Sequence, residues 1–156
     1  MPDVIDGNSI VPYVRSMKKV SGVTLEAGIF VKESATSGKV TPFTSSTDLC
    51  IGVSAEHVYS NEGTHTLTTD EKNVRVILTS FVGYMRAEAT TYNNGDLLYA
   101  STTGTLTKTA GGPVRAVYFG EDGVTVRSGG YLGPVYVRLP NKRTSTSDIG
   151  WGATDF

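Results

Sequence analysis

Apolar residues recur along the chain in short runs, each closed by Gly, Pro, Asn, Asp or Ser, and no segment keeps them at helical spacing for three turns. That punctuation predicts many short strands. In order they are Gly28-Ile29-Phe30-Val31, Val40-Thr41-Pro42-Phe43, Leu49-Cys50-Ile51-Gly52-Val53, Val74-Arg75-Val76-Ile77-Leu78 and Val82-Gly83-Tyr84-Met85. Beyond Asn93-Asn94-Gly95-Asp96 come Leu97-Leu98-Tyr99, Thr105-Leu106-Thr107, Val114-Arg115-Ala116-Val117-Tyr118 and Val135-Tyr136-Val137-Arg138-Leu139. Val74, Val76 and Leu78 alternate with Arg75, Ile77 and Thr79, and Val135, Val137 and Leu139 alternate with Tyr136 and Arg138, so one face of each strand meets a core. The only helical candidate is a short turn from Ala87 to Thr91.

The two ends have a different pattern. Before Val23 the apolar spacing is too irregular to assign a strand, so residues 1–22 are expected to form an extended arm. Residues 141–156 are polar but carry Ile149, Trp151 and the terminal Phe156, the composition of a tail with aromatic anchors. Between them, residues 23–140 make one domain: the fold expected is all-β, a small barrel.

Composition agrees with this class. The 156 residues are 38% hydrophobic and only 19% charged, below the roughly 25% of an average domain. Eighteen Gly and abundant Thr, Ser and Asn supply turns and neutral sheet surface. The net charge of −1 lacks the basic footprint of a nucleic-acid binder. Arg15, Lys18 and Lys19 are the nearest thing to a basic patch, and with Tyr13 they are the first candidates for contact with an acidic partner surface. One cysteine, Cys50, excludes an internal disulfide; in its apolar run it reads as a buried, inert thiol. No signal-peptide pattern opens the sequence and no apolar run approaches a membrane span, so the chain is expected to be soluble and made in a cytoplasm.

Candidate chemistry is sparse. His57 and His65, with Glu56 and Glu62 near them, form the best metal-like cluster, but they flank a loop-like segment and supply too few ligands for a zinc site. No Gly-x-Ser-x-Gly elbow positions a serine nucleophile, and no P-loop occurs. Gly129-Gly130-Tyr131-Leu132-Gly133 lacks dinucleotide-loop spacing and reads as a turn. No enzyme activity and no cofactor is expected.

Two stretches taken together resemble one family. The first is Val23-Thr24-Leu25-Glu26-Ala27-Gly28-Ile29-Phe30-Val31-Lys32, followed by Leu49-Cys50-Ile51-Gly52-Val53-Ser54. The second runs from Ala87-Glu88-Ala89 through Asn94-Gly95-Asp96-Leu97-Leu98-Tyr99 and Gly104-Thr105-Leu106-Thr107 to Val114-Arg115-Ala116-Val117 and Val135-Tyr136-Val137-Arg138-Leu139. They resemble the small bacteriophage capsid decoration, or cement, proteins, whose domain is a compact β-barrel or β-tulip. The resemblance covers Val23 to Leu139. It implies a homotrimer on the outside of a capsid, bound to the major capsid protein and stabilising the shell, with no role for nucleic acid or membrane. Tyr13, Arg15, Lys18 and Lys19 are then the expected capsid contacts, with Trp151 and Phe156 as tail contacts. On this reading, removing Met1 to Val20 leaves the barrel folded. The alternative is a virion-surface module that binds host or glycan; a small hydrolase with an unrecognised triad is a further rival.

Overall fold

The computed structural model describes residues 13–20, 22–23, 25–34, 38–55 and 73–139. Over these residues the protein is all-β, with no helix. The strands are β1 (Val14–Lys18), β2 (Phe30–Glu33), β3 (Val40–Pro42), β4 (Gly52–Ser54), β5 (Asn73–Ile77) and β6 (Phe81–Arg86), then β7 (Thr91–Tyr92), β8 (Leu97–Ala100), β9 (Leu106–Thr107), β10 (Ala116–Tyr118), β11 (Val124–Thr125) and β12 (Tyr131–Val137).

They form two five-stranded sheets, ordered β1-β5-β4-β2-β3 and β6-β12-β10-β8-β9, and a small β11-β7 ribbon. Each large sheet is drawn into a barrel by one parallel bridge between its outermost strands. Lys19, just after β1, bridges Val40 of β3; Ala87, just after β6, bridges Leu106 of β9. Closure satisfies backbone groups that an open edge would leave bare.

The barrels repeat one another. Setting aside β7 and β11, the second sheet takes its strands in chain order as β6, β8, β9, β10 and β12, and its spatial order is that of the first. Register agrees as well. Val53 opposite Phe30 corresponds to Val117 opposite Leu97, and Met17 opposite Val74 corresponds to Met85 opposite Leu132. Even the turn hydrogen bonds coincide: Gly28 N–H to Ser54 O (2.8 Å) matches Gly95 N–H to Tyr118 O (2.7 Å), and Ser34 N–H to Lys39 O matches Ser101 N–H to Thr105 O. One register shift, between Leu132 and Val135, absorbs the single extra residue of β12.

Alternation along the strands explains the packing. Val31, Val40, Val74 and Val76, with Leu25 and Ile29, form the buried centre of the first barrel, and Met17, Ile51 and Leu78 pack against it. The corresponding Leu98, Leu106, Leu132 and Val135, with Met85, Tyr92 and Tyr118, are buried in the second. Burial of each such side chain stabilises the fold by about 1.5–3 kcal/mol before entropy is counted. Phe30, Phe43, Cys50 and Val53 of the first barrel belong to the second barrel's buried cluster, so the barrels share a core.

Polar contacts fix the junction. Phe30 N–H donates to Gly104 O at 2.8 Å, Arg86 N–H to Gly28 O at 3.0 Å and Tyr131 Oη to Ala27 O at 2.9 Å. Arg115 is buried with its guanidinium 5.7 Å from the Phe30 ring centroid and 5.1 Å from that of Phe43, donating to Ser46 O and Asp48 O at 3.3 Å.

The structure corrects several expectations. The segment before Val23 contains a strand, because β1 pairs along its whole length with β5 and buries Met17 from one side of an otherwise polar sequence. The expected turn over residues 87–91 is not helical: Ala87 is held by the Leu106 bridge and Thr91 opens β7. Gly129 and Gly130 make a turn, but Tyr131 already begins β12, paired with Arg86. The all-β, barrel-like class is as expected, and its described strands make two five-stranded sheets, the first of which begins with β1.

Candidate functional site

The sequence places its candidate contacts on Tyr13, Arg15, Lys18 and Lys19, and the structure divides them. Tyr13 is 58% exposed at the start of β1, with its backbone N–H donating to Thr79 Oγ1 at 2.9 Å and its carbonyl accepting from Leu78 N–H at 2.8 Å. Arg15 and Lys18 are exposed on the same strand. Ser16 lies opposite the exposed Arg75, and Lys18 opposite Asn73, so β1 and β5 carry a polar, cationic strip without an acidic residue. Salt screens such a strip strongly.

Lys19 is excluded from it. The side chain is fully buried, and its ammonium donates to Val20 O at 2.9 Å and Val23 O at 2.7 Å. A buried cation held by carbonyl oxygens closes the turn after β1. The sequence grouped it with Lys18 because adjacent lysines look alike; strand alternation and the bridge to Val40 turn it inward.

Trp151, Phe156, His57, His65, Glu56 and Glu62 lie outside the described residues. Among the described residues no group of three His, Cys, Asp or Glu side chains is placed to hold a metal ion. Cys50 is buried, its thiol directed at Gly52 O at 3.5 Å.

Two open grooves flank the junction. One, of about 330 Å³, is lined by Glu26, Ile29, Pro42, Phe43, Arg86, Thr103 and Thr105. Its charged groups pair with each other, Arg86 with Glu26, and the Arg86 guanidinium lies 5.8 Å from the Tyr131 ring centroid. The other, of about 240 Å³, includes Ser46, Glu88, Ser101, Thr107 and Thr109. There Glu88 Oε1 accepts from the Thr107 hydroxyl at 2.7 Å, and Ser101 Oγ accepts from the Thr103 and Thr105 N–H groups. These hydroxyls and carboxylates hold strand connections together.

The sequence reading missed the outer face of the second barrel. Val82, Tyr84 and Phe119 are exposed there, Tyr84 by 65%. A signal was present: in Phe81-Val82-Gly83-Tyr84-Met85 both alternating sets are apolar, which a one-sided strand does not require. Phe81 and Met85 face the core, leaving Val82 and Tyr84 outside.

No family model matches the chain, and no curated protein matches it.

Proposed function

We propose that this chain is a structural virion protein that binds the outer surface of a bacteriophage capsid as a homotrimer and stabilises the shell. The observation that carries the reading is that Tyr13, Arg15 and Lys18 are exposed on or beside a paired strand instead of a loose arm, Lys18 on its outer face beside Ser16 and Arg75, and Tyr13 and Arg15 on the side of Met17. A strip fixed on a sheet loses little entropy on docking, and its cations suit an acidic face of a major capsid protein. The family resemblance supplies the capsid as partner. Many copies of a modest interface then stabilise a shell, and the protein needs no reacting group.

The contacts proposed are Tyr13, Arg15 and Lys18, with Lys19 withdrawn to a structural role and Trp151 and Phe156 kept as tail contacts. Each exposed ion pair contributes about 0–1 kcal/mol. The double variant Arg15→Glu, Lys18→Glu is therefore expected to weaken co-sedimentation with purified capsids by about tenfold, and binding of the unaltered chain should fall as salt rises. Capsid binding that neither the double variant nor salt alters would sink the assignment of these residues, and no binding at all would sink the function.

A further inference from the structure

The first barrel closes along only part of β1. Leu78 N–H donates to Tyr13 O at 2.8 Å, so Tyr13, Arg15 and Met17 turn their backbone groups toward β5. Arg75, opposite Ser16, keeps the same alternation, because its carbonyl accepts from Ala55 N–H at 2.7 Å on the other side of β5. Val14, Ser16 and Lys18 therefore direct N–H and C=O away from β5, toward β3. That side is bonded at its far end, where Lys19 bridges Val40 and Val20 N–H donates to Val40 O at 3.0 Å. β3 starts only at Val40, so β1 runs on past it, and no described residue bonds the backbone of Val14 or Ser16 on that side.

An open edge of this kind accepts an added strand. The second barrel holds a precedent: Arg86, the counterpart of Lys18 by register, has its N–H bonded at 3.0 Å to Gly28 O, so the equivalent side of β6 already receives backbone from outside its own sheet. Charge decides what the edge of β1 takes. Arg15 is exposed on one side of the strand and Lys18 on the other, Arg75 lies across from Ser16, and neither β1 nor β5 carries an acid. Pairing with β1 of a second copy would bring like charges together, whereas carboxylates beside them are favourable.

We propose that the open edge of β1 is a strand-addition site for an extended acidic segment of a partner protein. The segment's backbone bonds to Val14 and Ser16, and its carboxylates lie beside Arg15 and Lys18. The inference rests on the proposed function for its partner, the capsid protein, and deepens it by giving the contact a form: a paired strand in place of two apposed surfaces.

The test is fluorescence anisotropy of a labelled peptide of alternating Glu and Thr titrated with the full chain. Saturable binding is expected, and none of the matching Lys and Thr peptide. Methylating the amide nitrogens of the probe keeps its charge and removes its backbone donors, and should weaken binding by about tenfold or more, the worth of a hydrogen bond at the least. Ser16→Pro should do the same from the protein's side. Its lost N–H points away from β5, so the β1–β5 ladder and the circular dichroism should stay as in the parent. If that variant unfolds, the methylated probe still decides. Equal binding of the plain and methylated probes, or of the plain probe by parent and folded variant, would overturn the proposal and leave a charge contact only. So would a chain that takes the probe only once residues 140–156 are removed, which would assign the edge to the tail, or self-association that Ser16→Pro abolishes, which would assign it to a second copy. Capsid binding without probe binding would refute this edge alone, whereas methylation-sensitive probe binding by a chain that ignores capsids would refute the proposed function alone.

Discussion

Buried polar side chains carry much of the specificity of this fold at the scale of single residues. Arg115 places a guanidinium against two phenylalanine rings and two carbonyls, so one residue of the second barrel orders the loop before β4 of the first. Tyr92 and Tyr118 act inside the second barrel, their hydroxyls donating to Glu88 O and Glu121 O at 2.8 Å. Burial pushes the Tyr92 phenol up to about 12, helped by the negative charges of Glu88 and Asp96. Burial also raises Tyr118, with Glu121 and Asp122 adding to it. A phenol that stays protonated longer when folded contributes stability fully present below the ordinary tyrosine value near 10, and lost as pH rises through the folded value. Stability should therefore fall between about pH 10 and 12, by about 1.4 kcal/mol per pH unit for Tyr92 at most. Urea unfolding across that range checks it. Tyr92→Phe should cost about 1 kcal/mol at neutral pH and flatten the alkaline decline; a variant that declines as steeply as the parent would contradict the assignment.

Strand β1 decides whether the first barrel closes. It pairs with β5 through five residues and leads to Lys19, whose bridge to Val40 closes the first barrel. Deleting residues 1–20 removes the strand, the closing bridge and the buried Met17 contact, leaving β5 as an unpaired edge. The truncated chain should lose the cooperative unfolding of the first barrel, read as a lower urea midpoint and new dye-binding apolar surface. Unchanged unfolding would instead make β1 dispensable. This strand also marks the limit of the sequence as a guide. The strands read correctly from the sequence, such as β5 and the Val135–Val137 part of β12, alternate β-branched and polar residues over a buried face. Val-Arg-Ser-Met-Lys carries one strong apolar residue on its inner side, so its strand character comes from its partner. β7 and β11 have two residues each, too few for any period to register. The duplication was hidden for the same reason: a barrel needs only size and polarity at each position, so Val31 and Leu98, or Ser54 and Tyr118, serve in corresponding places without sequence likeness. The cationic strip was legible as residue types, but the inward turn of Lys19 depended on a bridge to a residue twenty-one positions away.

The duplication makes the whole molecule one mechanical unit, because the outer residues of the first barrel are buried against the second. Unfolding either barrel exposes the shared apolar surface, so the two should unfold in a single transition. Two glycines of positive φ isolate that coupling. Gly95 has φ +90° and no atom within 4 Å of the position a Cβ would take. Gly104 has φ +88°, but its Cβ would lie 2.6 Å from Phe30 O and 3.3 Å from Phe30 N, in the backbone of the other barrel. Alanine at either site meets the left-handed backbone penalty of about 1–2 kcal/mol. Only Gly104→Ala must also separate the barrels and disturb the Phe30 N–H to Gly104 O hydrogen bond, adding roughly 2 kcal/mol or more. Equilibrium urea unfolding should therefore show Gly95→Ala shifted modestly with one transition preserved, and Gly104→Ala shifted further, with fluorescence and far-UV dichroism no longer coincident as the barrels uncouple. Equal shifts in the two variants would mean that the junction yields without cost, and the shared core would then not bind the barrels into one cooperative unit.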